Sequence, residues 1–160
     1  MSLISQFYRM VEIFTGRHRL DWIDEHVAVG SDRVSPGTLE KMNVSAVLSV
    51  GAKLRKGAGK AATKFVEVKD KQAPDLKQID EALEWMIERL EAGSNVLIHC
   101  RAGMGRSVTV AACYLMRTKG ISAQEAVATI RKVHPQAAPT RAQIDFLRRF
   151  EQQSLRERRG

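Results

Sequence analysis

Residues 95–107 read Asn-Val-Leu-Ile-His-Cys-Arg-Ala-Gly-Met-Gly-Arg-Ser. The first five form an apolar run that is typical of a strand buried on both faces of a parallel sheet. The segment from Gly105 to Lys119 is rich in valine and alanine and is followed by Gly120, so it predicts a helix that ends at this glycine. A turn from a strand into a helix directs backbone N–H groups and the positive helix end to one point. The stretch therefore predicts an anion-binding loop.

Strands and helices alternate along the rest of the chain. Short runs rich in β-branched residues predict strands at residues 26–30, 46–51 and 64–69. Helical spacing, together with start and stop residues, predicts helices at residues 36–43, 74–91, 122–133 and 140–155. The alternation predicts an α/β fold, with a single domain and a mainly parallel central sheet flanked by helices.

Composition narrows the class of protein. The chain has 160 residues, and 26 Lys and Arg against 18 Asp and Glu give a net charge of +8, which suggests an anionic partner. The balance of apolar and charged residues argues against a disordered chain, and no apolar run approaches the roughly 18 residues of a membrane span. Two cysteines, Cys100 and Cys113, are too few for a secreted disulfide scaffold, and no Cys-x-x-Cys pair suggests zinc. We therefore expect a cytoplasmic protein without a Cys-x-x-Cys zinc or redox site, and we also expect no metal or other cofactor.

Residues 1–20 are predicted to form an amphipathic helical extension. Leu3, Phe7, Val11 and Phe14 follow helical spacing, and several arginines accompany them. We favour packing of this helix on the domain's own core over contact with a membrane surface.

The residues of the loop fit phosphoryl chemistry. Gly103 and Gly105 allow unusual dihedral angles and close backbone approach. The N–H groups that would bind phosphate oxygens also favour the thiolate of Cys100, which makes it a candidate nucleophile. Arg106 follows six positions later, and its planar guanidinium can hold two phosphoryl oxygens, while the hydroxyl of Ser107 can stabilise the sulfur as a leaving group. Cys113, in contrast, falls among apolar residues of the next helix and is predicted to be core.

The pattern His99-Cys100-x5-Arg106-Ser107 resembles the signature of the cysteine-dependent protein tyrosine phosphatases, and the short chain is similar to their dual-specificity branch. The resemblance covers about residues 21–150 and implies a catalytic domain at residues 21–160. It implies catalysis through a phosphocysteine intermediate, with His99 supporting the loop. The phosphate-binding positions that it implies are Arg101, Ala102, Gly103, Met104, Gly105 and Arg106.

A general acid must protonate the departing oxygen. Members of the family take an aspartate from a loop roughly 30 residues before the nucleophile; Asp70 stands 30 positions before Cys100, directly after the third predicted strand. Asp75 is the alternative, but at the start of a helix its carboxylate already has a structural role beside the helix dipole. We therefore predict Asp70 as the general acid, although the fuller Trp-Pro-Asp version of the loop is absent. Gln143 stands where related phosphatases often have a glutamine in the closing helix; the alternative is a glutamine that is only solvated or only packs.

The substrate class stays open at this stage. A basic stretch at residues 51–64 contains Lys53, Arg55, Lys56, Lys60 and Lys64 and either steers an anionic substrate or is merely solvated. Phosphotyrosine with phosphoserine or phosphothreonine is the first choice, and a phosphoinositide or phosphatidylglycerophosphate headgroup is the second. Arg101 matches one of the two basic loop positions of phosphoinositide phosphatases, whereas Met104 does not match the other.

Other functional classes fit less well. A sulfurtransferase would not need Asp70, and a low-molecular-weight phosphatase would reverse the order of nucleophile and acid. A phosphoprotein-binding module that lacks catalysis would not need Cys100, Arg106 and Asp70 together. A nucleic-acid partner is not expected, because no recognised motif accompanies the positive charge. His134, which precedes Pro135, is predicted to mark only the end of a helix.

Overall fold

Five strands of residues 20–160, the part of the chain that the computed structural model describes, form one sheet. They are β1 (Leu20–Trp22), β2 (Val27–Gly30), β3 (Val44–Val50), β4 (Ala62–Val66) and β5 (Asn95–His99). The order across the sheet is β1-β2-β5-β3-β4. Only β1 is antiparallel to its neighbour, so the predicted, mainly parallel sheet is confirmed. The helix predicted within residues 1–20 lies outside the described residues, except for Leu20.

Five helices complete the described residues, namely α1 (Pro36–Lys41), α2 (Leu76–Glu91), α3 (Arg106–Lys119), α4 (Ala123–Val133) and α5 (Arg141–Arg159). Several predicted boundaries are wrong by one to four residues. β3 begins two residues before the predicted residue 46, and α1 ends at Lys41 instead of residue 43. α2 begins two residues later than predicted because Asp75 is its N-cap, and α5 continues four residues beyond 155. The third predicted strand, at residues 64–69, is β4 at Ala62–Val66. The short strand β1 was not predicted.

Alternate residues of the central strands point to opposite faces of the sheet. Val29, Leu48 and Ile98 belong to the larger core, which α2 to α5 cover. Ala28, Val47 and Leu97 belong to a smaller core on the other face, which includes residues of α1 and of the segment after β3. Both faces are therefore buried, which explains the apolar runs at residues 46–48 of β3 and 96–98 of β5. No helix within residues 20–160 combines the length and the apolar character that crossing a membrane would require.

The parallel strands place four loops at the same edge. Because β2, β3, β4 and β5 all end at the carboxyl edge of the sheet, the segments that follow them converge there. Ligands bind at this edge in open α/β sheets. The predicted nucleophile follows β5, and the predicted acid lies in the segment between β4 and α2.

A buried histidine is the last residue of β5 at this edge. His99 is fully buried and pairs across the sheet with Ser49 of β3, whose hydroxyl lies 2.6 Å from Nε2. Nδ1 lies 3.1 Å from the carbonyl oxygen of Cys100. A carbonyl can only accept, so Nδ1 carries the proton and Nε2 accepts from Ser49. Burial lowers the pKa of His99 below its ordinary value of 6.5, and the bond to the Cys100 carbonyl opposes this only in part.

We predict that the protein loses stability in mild acid. The folded protein keeps His99 neutral while the unfolded chain binds a proton near pH 6.5, so the free energy of unfolding should fall as the pH drops below this value. Above it, neither state is protonated and the contribution of His99 is complete. Urea unfolding between about pH 5 and pH 8 measures the slope, which for one group cannot exceed about 1.4 kcal/mol per pH unit. His99→Gln should make the slope shallower, and an unchanged slope would contradict this role.

Candidate active site

Cys100 lies at the first position after β5, with its side chain almost fully buried. The backbone N–H of Gly103 donates to its Sγ over 3.3 Å, and the hydroxyl of Ser107 lies 3.2 Å from the same sulfur. Ser107 is itself fully buried in the first turn of α3. The structure thus brings the predicted nucleophile together with a loop amide and the predicted hydroxyl, both of which stabilise negative charge on sulfur.

The start of α3 differs from that of the other described helices. Side chains cap α1, α2, α4 and α5, through Ser35, Asp75, Ser122 and Thr140. At α3 the N-cap is Gly105, and no side chain hydrogen-bonds to the first turn. The first turn of this helix therefore has no side-chain acceptor of its own, which suits the predicted anion-binding loop.

The two loop glycines are needed for different reasons. Gly103 has a φ of +70°, and a Cβ there would come within 2.8 Å of the carbonyl oxygen of Gly30. Gly105 has a φ of −126°, so it does not need the unusual dihedral angle that the sequence suggested. Its requirement is space, because a Cβ would lie 2.6 Å from the side-chain oxygen of Gln143.

The guanidinium of Arg106 is held by two backbone carbonyls. Its Nη1 donates to the oxygen of Gly51 over 3.2 Å and to that of Val68 over 3.0 Å, and only 7% of the side chain is exposed. Gly51 follows β3 with a φ of +71°, and a Cβ at this position would lie 2.2 Å from Nη1. Sequence reasoning missed this role of Gly51 and read it only as the end of a strand.

Asp70 faces the same guanidinium. Its Oδ1 lies 3.7 Å from Nη2 of Arg106, and 79% of its side chain is exposed. The N–H of Lys71 also donates to Oδ1, over 3.0 Å. A carboxylate beside the phosphate loop yet open to solvent can exchange a proton with both substrate and water, as a general acid and base must.

Helix α5 holds the loop that contains Asp70. The hydroxyl of Thr140 donates to the carbonyl of Lys71 over 2.8 Å, and the side-chain amide of Gln143 donates to that of Gln72 over 3.0 Å. Gln143 is fully buried, and its oxygen accepts from the N–H of Thr140. The alternative of a solvated Gln143 is therefore wrong, because the residue is buried and joins the loop to the helix start.

Asp75 has the structural role that the sequence suggests. Its carboxylate accepts from the N–H of Gln78 over 2.8 Å, and the side chain of Gln78 accepts from the N–H of Asp75 in return. This capping box satisfies the first turn of α2.

The remaining predicted positions form the rim or the core. Arg101, Ala102 and Met104 are exposed on the loop. Cys113 is fully buried, and this burial raises the pKa of its thiol, as expected of a core residue. Within residues 20–160, no three His, Cys, Asp or Glu side chains come together as a metal site would require.

Asp32 contacts both the phosphate loop and Arg55 of the basic stretch. The N–H of Asp32 donates to the carbonyl of Arg101 over 3.1 Å, and the N–H of Arg55 donates to the carbonyl of Asp32 over 2.9 Å. The nearly buried carboxylate of Asp32 also pairs with Nε of Arg55 at 3.0 Å. The start of the basic stretch is thus fixed beside the loop.

Comparison with known proteins agrees with this geometry. The family model described as the catalytic domain of dual specificity phosphatases matches residues 29–153. Dual specificity protein phosphatase 1B of Arabidopsis thaliana is 30% identical over 144 residues, which cover 88% of this chain and 86% of that protein. Dual specificity protein phosphatase Mpk3 of Drosophila melanogaster is 36% identical over 126 residues, which cover 76% of this chain but only 30% of that longer protein.

A solved structure gives the same result in three dimensions. The crystal structure of Tk-PTP in its active form superimposes with a TM-score of 0.74 at 30% sequence identity, and the match covers 83% of this chain and 96% of that one. Together with the match to the family model, this shows that the chain belongs to the dual specificity phosphatase family and contains its catalytic domain.

Proposed function

We propose that this chain hydrolyses phosphate monoesters of phosphorylated proteins through a phosphocysteine intermediate on Cys100. The observation that carries the proposal is the convergence of the Cys100 sulfur, the buried Arg106 guanidinium and the Asp70 carboxylate at one sheet edge. Each group supplies one requirement of the reaction, namely a nucleophile, a fixed cation and an acid.

Arg106 and the start of α3 hold the phosphoryl group. Two carbonyls occupy Nη1 of Arg106, so the donors on Nε and Nη2 are those that can reach two phosphoryl oxygens. Backbone N–H groups from Arg101 to Arg106 take the remaining negative charge, as the uncapped helix start suggests. Binding at this point brings phosphorus onto the Cys100 sulfur.

In the first step the thiolate of Cys100 forms a bond to phosphorus as the bond from phosphorus to the ester oxygen breaks. Asp70 donates its proton to the departing oxygen. In the second step water attacks phosphorus, Asp70 accepts a proton from it, and the sulfur leaves as a thiolate. The hydroxyl of Ser107, 3.2 Å from the sulfur, stabilises that thiolate. His99 supports the loop through its hydrogen bond to the Cys100 carbonyl and transfers no proton.

Loss of the nucleophile should abolish turnover. We expect hydrolysis of p-nitrophenyl phosphate that persists in EDTA, is inhibited by vanadate and disappears in Cys100→Ser. Turnover should be lost because a serine hydroxyl is a far weaker nucleophile than a thiolate. The variant should still fold and still bind vanadate, because only one side-chain atom is replaced. Turnover retained in Cys100→Ser would contradict the proposal.

Asp70 and Asp75 form a matched pair for the acid. Asp70→Ala should lower the rate by about 10²–10⁴-fold with a poor leaving group such as phenyl phosphate, and by much less with p-nitrophenyl phosphate, whose oxygen needs little protonation. Asp75→Ala removes an N-cap and should cost about 1 kcal/mol of stability with no dependence on the leaving group. Equal losses in the two variants would refute the assignment of Asp70.

A lipid headgroup is the alternative substrate, and the basic residues beside the loop favour it. Arg101 is exposed on the loop, and Asp32 fixes Arg55 next to it. A matched panel of phosphopeptides and phosphoinositide vesicles, at low and high salt, distinguishes the two classes. We expect phosphopeptides to give the higher kcat/KM, and a clear preference for the vesicles would replace the first choice by the second.

The proposal includes a cytoplasmic location and no nucleic-acid partner. Both cysteines are free thiols, which suits a reducing compartment. A membrane contact through the predicted helix at residues 1–20 is not favoured.

A further inference from the structure

His134 is a buried histidine that the proposed reaction does not use. It caps the C-terminus of α4, as the sequence suggests, but its side chain is only 1% exposed. Nδ1 lies 2.6 Å from Oδ2 of Asp21 in β1, which is 113 positions away along the chain. Nε2 hydrogen-bonds to the carbonyl oxygen of Gly103 in the phosphate loop. The ring therefore joins the first strand of the sheet to the loop that surrounds Cys100.

The hydrogen-bond partners of His134 determine which of its ring nitrogens carries a proton. The Gly103 carbonyl can only accept, so Nε2 of His134 must be the donor. The contact between Nδ1 and Asp21 is a hydrogen bond only if one proton lies between these two atoms. His134 and Asp21 together then carry two protons, one for each hydrogen bond of the ring. The pair has no net charge, whether the shared proton belongs to Nδ1 or to the carboxylate. It acts as a donor that Asp21 orients.

A second contact from the same segment acts on the next carbonyl. The N–H of Ala138 donates to the carbonyl of Met104 over 2.8 Å. All described peptide bonds are trans, so each N–H points opposite to the carbonyl of the residue before it. With the carbonyls of Gly103 and Met104 drawn towards residues 134–138, the N–H groups of Met104 and Gly105 point away from that segment.

We infer that His134, oriented by Asp21, is a positioning residue that holds the Gly103 carbonyl outward and so keeps the neighbouring loop amides aimed at the phosphoryl oxygens. The inference rests on the proposed function of the loop and adds to it a residue outside the Cys-x5-Arg stretch. Without this donor, the Gly103–Met104 peptide could rotate and direct its carbonyl oxygen, a partial negative charge, at the anion.

Binding of tungstate tests the inference without any turnover. His134→Phe keeps an aromatic ring but removes both hydrogen bonds. It should weaken tungstate binding about tenfold or more, and raise KM for p-nitrophenyl phosphate in parallel, because the Gly103 carbonyl loses its hydrogen-bond donor and can turn towards the anion. Titration calorimetry measures the affinity, and initial rates separate KM from kcat.

Two variants of Asp21 test the orienting role. In Asp21→Asn the amide can donate to Nδ1 of a neutral ring, so Nε2 still donates to Gly103, and tungstate affinity should stay within about threefold of the original. In Asp21→Ala the ring loses its partner, and the affinity should fall as in His134→Phe. If His134→Phe does not fold, this pair decides the question, and equal affinities in Asp21→Asn and Asp21→Ala would overturn the inference.

Met86→Ala controls for a general loss of stability. Met86 is fully buried in the second half of α2, which runs from the acid loop towards the start of β5, away from the phosphate loop. The variant should lower the melting temperature yet leave tungstate affinity unchanged. An equal loss of affinity in Met86→Ala and His134→Phe, or no loss in a folded His134→Phe, would overturn the inference. If the original protein binds tungstate but hydrolyses no phosphate ester, it is the proposed function that fails.

Discussion

The two hydrogen bonds from Nη1 of Arg106 to the carbonyls of Gly51 and Val68 are the contact on which the rest of the site depends. They join the start of α3 to the end of β3 and to the segment after β4. A buried cation is costly unless polar groups compensate it, and two carbonyl dipoles do so without neutralising its charge. The guanidinium thereby stays positive in a nearly dry position, where its attraction for a phosphoryl dianion is strongest. Asp70 stands two positions after Val68, and its Oδ1 lies 3.7 Å from Nη2 of the same guanidinium.

The phosphate loop is built with its carbonyls turned outward. Donors outside the loop bind the carbonyls of Cys100, Arg101, Gly103 and Met104, and these donors are the ring of His99, the N–H of Asp32, the ring of His134 and the N–H of Ala138. The opposite sides of these peptides bear the N–H groups of Arg101, Ala102, Met104 and Gly105, which are left for the anion. Folding therefore orients the loop N–H groups before the substrate binds, so no free energy is spent on orienting them during the reaction. Loop positions as different as Arg101 and Met104 can serve because the backbone, rather than the side chains, forms the cradle.

Local patterns explain which parts could be predicted from the sequence. Cys100, Arg106 and Ser107 belong to one turn between a strand and a helix, so their spacing alone defines a site. The capping box of Ser122 and Glu125 at the start of α4 is likewise local, since its two residues stand three positions apart. The position of Asp70 directly after a predicted strand favours it over Asp75 as the acid, and in the structure Asp70 lies beside Arg106 while Asp75 caps α2.

Contacts between distant segments explain what could not be predicted. Gly51 is needed because a side chain 55 positions away occupies the space of its Cβ, and His134 because it meets Asp21 and Gly103 from separate elements. Neither residue has a local pattern that differs from a strand end or a helix end. β1 is only three residues long, which is too short to show the alternation of apolar and polar residues that indicates a strand.

The most direct test of this account is a crystal structure of the protein with vanadate bound at Cys100. The account predicts that Nη1 of Arg106 keeps its hydrogen bonds to the carbonyls of Gly51 and Val68, while Nε and Nη2 bind two equatorial oxygens. A guanidinium that leaves these carbonyls to bind vanadate through Nη1 would contradict it.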